Sequence, residues 1–148
     1  MPRMQKLLVN PLFCLLLVAG LSACHRTPDE SRVRQGIEKA EHAAEQADAS
    51  ALDAVLSDDF DGNHGEMERR QLIGLLYAAK FRGETIHALT GPIEVEQHGD
   101  RYVARFTVTL TSGGRMLPSN IGVYQVETGW RKDGREWRCY SATWTARD

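Results

Sequence analysis

The chain has 148 residues, with 18 Lys and Arg against 20 Asp and Glu and a formal net charge of −2. That length suits one domain able to bury a core without staples, and the acidic balance argues against nucleic acid as a partner. No internal repeat or low-complexity tract divides it. At the start, Arg3 and Lys6 precede an apolar stretch from Leu7 to Gly20. Asn10 and Pro11 interrupt it and leave Leu12 to Gly20 as its continuous part. A spanning helix wants about 20 apolar residues. This segment is too short, and it ends in the small residues Ser22 and Ala23 that a signal peptidase needs before its cut.

The next residue makes the pattern more specific. Leu21-Ser22-Ala23-Cys24 resembles the lipobox of bacterial lipoproteins. The resemblance implies cleavage between Ala23 and Cys24, with residues 1–23 as signal peptide and Cys24 as the lipid-modified first residue. A diacylglycerol and an amide-linked chain would then hold the protein on a membrane without a spanning segment, since stable anchoring takes more than one chain. His25, rather than aspartate, follows the cysteine, which implies the outer membrane, facing the periplasm. The alternative is an ordinary secretory signal with Cys24 incidental. On the lipoprotein reading, residues 24–28 are the lipidated N-terminus and a short linker, and 29–148 are the domain. Loss of Arg3 and Lys6 makes the mature net charge −4. Cys14 leaves with the signal, so Cys139 is the one free thiol and no intramolecular disulfide forms. Cys139, in a strand-like run, reads as a small buried hydrophobe.

Thr27-Pro28-Asp29-Glu30 has the form of a helix start, with a capping threonine, proline in the first turn and glutamate three residues on. Val33, Ile37, Ala40, Ala44 and Ala47 then recur at helical spacing. Glu38, Lys39, Glu41, His42 and Glu45 are expected to point elsewhere. Asp48-Ala49-Ser50 caps a second helix, with Leu52, Val55, Leu56 and Phe60 on one face. After the turn Asp61–Gly65, Asn63 and Glu66 are expected to cap a third helix to about Arg82. Its inward residues would be Leu72, Leu75, Leu76 and Ala79.

Beyond Gly83 the period changes to two. Ile86 to Gln97 reads as one strand, bent at Gly91-Pro92, and Gln97–Asp100 turns it. Tyr102, Ala104, Phe106, Val108 and Leu110 alternate with Val103, Arg105, Thr107 and Thr109, a half-buried strand. A glycine-rich loop with Pro118 follows, then a hairpin from Ile121–Arg131 and Glu136–Ala146 around Asp133-Gly134. The basic and aromatic cluster Trp130–Arg138 reads as the solvated tip of that hairpin. Three N-terminal helices on a curved antiparallel four-strand sheet make an α+β fold.

The first helix, the run Asp48–Phe60 ending in Asp58-Asp59-Phe60, and the strands with Gly129-Trp130-Arg131 and Glu136-Trp137-Arg138 resemble the nuclear transport factor 2-like (NTF2-like) superfamily. The likeness covers about Ser31 to Thr145. Gly62–Arg70 and the closing hairpin further resemble uncharacterised lipoproteins with this domain. The resemblance implies a cone, in which a curved sheet wraps a long helix around a pocket. The superfamily hosts isomerases, dehydratases, cyclases and non-catalytic binders, so activity rests on particular residues.

In the ketosteroid-isomerase branch a catalytic aspartate follows the Asp58-Asp59 run, and His64 takes that place here. A histidine could serve as general base if a pocket holds it, with a tyrosine such as Tyr77 as donor. The bland reading is a solvated turn residue that caps the third helix. Glu38, His42 and Glu45 share a helix face without a third ligand element, so no metal and no cofactor is expected. Tyr102, Phe106, Tyr124 and Trp144 are expected to line the pocket. The reading is non-catalytic binding of a small apolar ligand or a partner protein by an envelope lipoprotein anchored through Cys24. The alternatives are an isomerase- or dehydratase-like enzyme using His64, and a structural module. In the last, the face with Arg105, Thr107, Thr109, Gln125 and Glu127 would serve a homodimer or envelope assembly.

Overall fold

A computed structural model describes residues 27–114 and 117–148 of the chain. The signal segment, Cys24 and His25 therefore lie outside the described residues. Among the described residues no helix is long and apolar enough to cross a membrane.

Helix α1 (Pro28–Glu45) starts where the local chemistry asks. The Thr27 hydroxyl accepts the Glu30 N–H at 3.1 Å, Pro28 fills the first turn, and Asp29 and Glu30 sit at the positive end of the helix. Asp48 caps α2 (Ala49–Val55) by accepting the Ala51 N–H at 3.0 Å. The expected second helix stops there. Leu56–Gly62 is strand β1, followed by the two-residue strand β2 (Met67–Glu68). Leu56 and Phe60 do share the core, but from an extended backbone that pairs parallel with β7 (Glu136–Ala146), Leu56 opposite Cys139 and Gly62 opposite Ala142. An i, i+4 apolar pair fits a helix face and a strand face alike, and the deciding partner lies some eighty residues away.

Asn63 does not cap the third helix. Its backbone is left-handed (φ 49°), its N–H reaches Ala142 O at 2.9 Å, and its side-chain oxygen accepts the Trp144 N–H at 2.9 Å. Asn63 thus continues the β1–β7 contact past the end of the strand. Helix α3 (Arg69–Arg82) starts later, where Gln71 Oε1 accepts the Glu68 N–H at 2.7 Å. Its inward residues are Leu72, Leu76 and Ala79, whereas Leu75 is half exposed, at 51 %.

The sheet has seven strands rather than four, ordered β2-β1-β7-β6-β5-β3, with β4 also on β5. Strands β3 (Thr85–Thr90) and β4 (Glu94–His98) pair with the two halves of β5 (Arg101–Gly114), so the segment after Gly83 is one strand broken around Gly91-Pro92. The expected glycine-rich loop is mostly strand, because β5 runs to Gly114 and β6 (Leu117–Asp133) begins at Leu117. Register Asp133↔Glu136 moves the tight turn one residue on, to Gly134-Arg135, with Gly134 at φ 63°. β1–β7 is parallel and the other pairings are antiparallel, so the sheet is mixed.

Helix α1 lies across the sheet, and one contact sets how close it comes. Trp130 on β6 is 1 % exposed, and its ring lies under Gly36 of α1. A methyl at Gly36 would stand 2.5 Å from Trp130 Cζ3. The indole cannot step aside easily, since its Nε1–H donates to the buried Thr128 hydroxyl at 2.8 Å. Val33 and Ile37 flank this contact, and Tyr102, Ala104, Phe106 and Trp137 complete the core. Among the described residues the buried core cluster runs from Val33 to Cys139, with Ala142 packed against it.

This geometry separates two glycines by sign. Gly36→Ala gains helix propensity worth about 1 kcal/mol but overpacks a fixed ring, which costs roughly 1–3 kcal/mol or more. Gly74→Ala in α3 meets nothing within 4 Å and keeps the propensity gain alone. Urea denaturation should find Gly36→Ala less stable than the parent and Gly74→Ala equal or more stable. The reverse order would refute the packing.

Candidate functional site

The concave face of the sheet is filled at one end and open at the other, and side-chain size along α1 is the reason. At the narrow end Tyr102 and Trp137 meet edge to face, 5.1 Å between ring centres at 82°. The Tyr102 hydroxyl lies 3.3 Å from Thr27 Oγ1, and Trp137 Nε1–H donates to Asp29 at 3.0 Å. Beyond Ile37 the apolar residues that the helix turns to this hollow are only the short Ala40 and Ala44. A cavity of about 200 Å³ remains there, walled by residues such as Leu52, Phe60, Phe106, Val108 and Trp144.

Its polar groups are few. Thr128 is already paired, accepting from Trp130 and donating to Ala104 O at 3.4 Å. Cys139 reaches the wall with its thiol pushed up to about 12 by burial and donates to Ser141 O at 3.2 Å, so it stays protonated and unreactive. The other two are Thr90 and Glu41. Glu41 was expected on the outer helix face. It is half-buried and belongs to the lining, because Ile37, Glu41 and Ala44 lie four and three residues apart on one stripe. That spacing was visible in the sequence, and the charge of Glu41 concealed it.

The residues singled out from the sequence divide. Phe106 and Trp144 line the cavity. Tyr102 plugs the narrow end instead, and Tyr124, opposite Val108 on the same face, folds over Gly122 outside the lining. His64 is exposed at φ 58° in the turn after β1, and Tyr77 is 60 % exposed on α3. Neither belongs to the cavity lining, and His64 caps no helix. His42 lies 3.8 Å from Glu45, whose carboxylate instead accepts the Ala88 N–H at 3.3 Å and covers the open edge of β3. Among the described residues no three His, Cys, Asp or Glu converge as a metal site. On the outer sheet face Arg105 pairs with Glu127 and Glu96, while Leu89 and Ile121 stand 71 % and 73 % exposed.

No protein-family model matches the chain, and no curated protein matches it by sequence. Solved structures do match. A candidate dehydratase of the NTF2-like family from Streptomyces avermitilis superposes with a TM-score of 0.68 at 16% identity, covering 82% of this chain and 99% of that one. An NTF2-like protein from Cytophaga hutchinsonii gives 0.68 at 15% identity, over 82% and 100%. A candidate scytalone dehydratase from Novosphingobium aromaticivorans gives 0.72 at 11% identity, over 81% and 85%. The fold is NTF2-like. At these identities the likeness is one of fold alone.

Within this NTF2-like cone the run Ser57-Asp58-Asp59-Phe60 does structural work. Phe60 enters the core, and Asp58 pairs with Arg69 at 3.0 Å. Asp59 takes Arg131 of β6 in a two-pronged contact, one prong at 3.0 Å, and accepts the buried Ser57 hydroxyl at 2.8 Å. Arg131, then Ser57, hold the Asp59 carboxyl at about 2, below its ordinary 3.8. Arg131 also lies over the Tyr140 ring, 5.5 Å from its centre.

A carboxyl depressed on folding stabilises above its unfolded pKa and loses that contribution as pH falls through the folded one. The Asp59 contribution should therefore be full above about pH 4 and fade towards pH 2. Asp59 is 64 % exposed, so solvent screening limits the effect to about 1 kcal/mol or less. Acid titration of stability in Asp59→Asn should be flatter over that window than in the parent. Parallel curves would remove the pair from the account.

Proposed function

We propose that this chain is a lipoprotein of the bacterial cell envelope, anchored by acylated Cys24 to the outer membrane and facing the periplasm. In this reading the NTF2-like cone binds a small apolar molecule without chemical conversion. The observation that carries the ligand reading is the cavity under α1, apolar on nearly every side with Glu41 half-buried in its lining. A hollow of about 200 Å³, open on one side and apolar over nearly all of its lining, suits a ligand of one ring or a short branched chain. Glu41 favours a ligand that carries a single hydrogen-bond donor at one end.

Binding without conversion is the simpler reading of a lining whose described polar residues are Thr90, the already paired Thr128, the protonated Cys139 and Glu41. The isomerase alternative would need His64 and Tyr77, which sit exposed on a turn and on α3. The anchor reading is supported by the sequence from Arg3 to Cys24. Thr27, the N-cap of α1, lies three residues after that cysteine in the sequence.

Native mass spectrometry of the chain from His25 onward, after exposure to an envelope extract, should retain a small molecule. Ala88→Phe, which puts a ring into the cavity, should abolish that retention while leaving the fold intact. Retention unchanged by Ala88→Phe would place the ligand elsewhere, and a bare parent protein would remove the ligand reading. In bacteria fed labelled palmitate, the full chain should take up label and lose residues 1–23, and Cys24→Ser should do neither. Unlabelled protein in the parent strain would refute the anchor.

A further inference from the structure

A second and larger hollow lies on the opposite flank of α1, where the β6–β7 hairpin tip and α2 pass beside the helix. It has a volume of about 1090 Å³ and is open to solvent along its length. Its charge is one-sided. Arg32 and Lys39 project from α1, and Lys132, Arg135 and Arg138 from the hairpin. Among the described residues Glu136 is the only carboxylate of the lining. Two of the cations are partly balanced from outside the groove, Lys132 by Asp29 and Arg138 by Asp133, each at 3.5 Å. Arg32, Lys39 and Arg135 are exposed and have no carboxylate within 4 Å among the described residues. Residues 24–148 carry a net charge of −4, so this is a concentration of positive charge on an acidic domain.

Its place in the fold gives it a partner. The groove starts at the first turns of α1, where Asp29 touches both Lys132 and Trp137. Cys24 precedes Thr27 by three residues, a chain length that reaches at most about 10 Å. We propose that the groove is a docking surface for anionic phospholipid headgroups, which lays α1 and the hairpin tip against the bilayer that holds the acyl chains. The orientation rests on the Cys24 anchor, and the binding chemistry does not. Phosphodiesters enter the groove and meet Arg32, Lys39 and Arg135, while the acidic remainder of the domain is repelled outward. A soluble polyanion would match the same charges, but it would have no reason to meet them at the tethered end of the domain.

The test uses the chain from His25 onward, without acyl groups, in flotation with vesicles at low salt. It should bind phosphatidylcholine vesicles that contain phosphatidylglycerol, ignore pure phosphatidylcholine, and be released by high salt. Each cation near such a surface is worth about fivefold in binding. Arg32→Gln, Lys39→Gln and Arg135→Gln together should therefore weaken binding on the order of a hundredfold. Arg70→Gln, Lys80→Gln and Arg147→Gln remove the same charge elsewhere and should change it little. Equal binding to both vesicle types, no binding to either, or the same loss in both triple variants would overturn the proposal. Stabilisation by inorganic phosphate without vesicle binding would also overturn it, in favour of a soluble anion. Because this chain lacks Cys24, its failure to bind leaves the palmitate experiment on the anchor as a separate result.

Discussion

The distance between α1 and the sheet is set where Trp130 lies under Gly36, and most of the molecule follows from it. An indole that is 1 % exposed, fixed through Thr128 to the backbone of β5, fits only because the helix has no side chain at that point. Towards the N-terminus the spacing suits large aromatics, and Tyr102 and Trp137 fill it. Towards the C-terminus the same spacing meets Ala40 and Ala44, and the space stays open. The plug and the cavity are thus consequences of one helix–sheet separation combined with a change in side-chain volume along a single helical face.

The second organising element is β1, which joins the edge of β7 in parallel and turns a hairpin sheet into a mixed one. Its charged residues face outward and tie neighbouring elements, Asp58 to α3 through Arg69 and Asp59 to β6 through Arg131. The acidic run that resembles a superfamily signature therefore reads here as a set of ties. His64 lies just beyond it, exposed in the turn.

The two flanks of α1 differ in chemistry although they are strips of one helix. One presents Ile37, Ala40, Glu41 and Ala44 to an apolar space, and the other presents Arg32, Lys39 and His42 to a polar groove. The helix is thus bounded by an apolar hollow on one side and a basic groove on the other.

Much of this was legible in local sequence. The Thr27-Pro28 start, the Asp48 cap, the alternation of β5 and the β6–β7 hairpin needed only short-range rules, since caps and period-two burial are decided within a few residues. Of the four aromatics expected in the pocket, Phe106 and Trp144 line it, while Tyr102 and Tyr124 show that alternation gives a face and not a position along it. The rest required contacts between distant parts of the chain. Leu56 and Phe60 suit helix and strand equally until β7 pairs with them, and Asn63 looks like a cap until Trp144 offers it an N–H. Glu41 joined the cavity because its helix turned it there, against the usual preference of a carboxylate for water. The basic groove is invisible along the chain, where Lys39 and Arg135 are ninety-six residues apart. Local sequence determined the capped starts of α1 and α2 and the apolar face of β5. Only the tertiary structure decided which faces meet, because that choice depends on side-chain volumes and charges brought together from opposite ends of the domain.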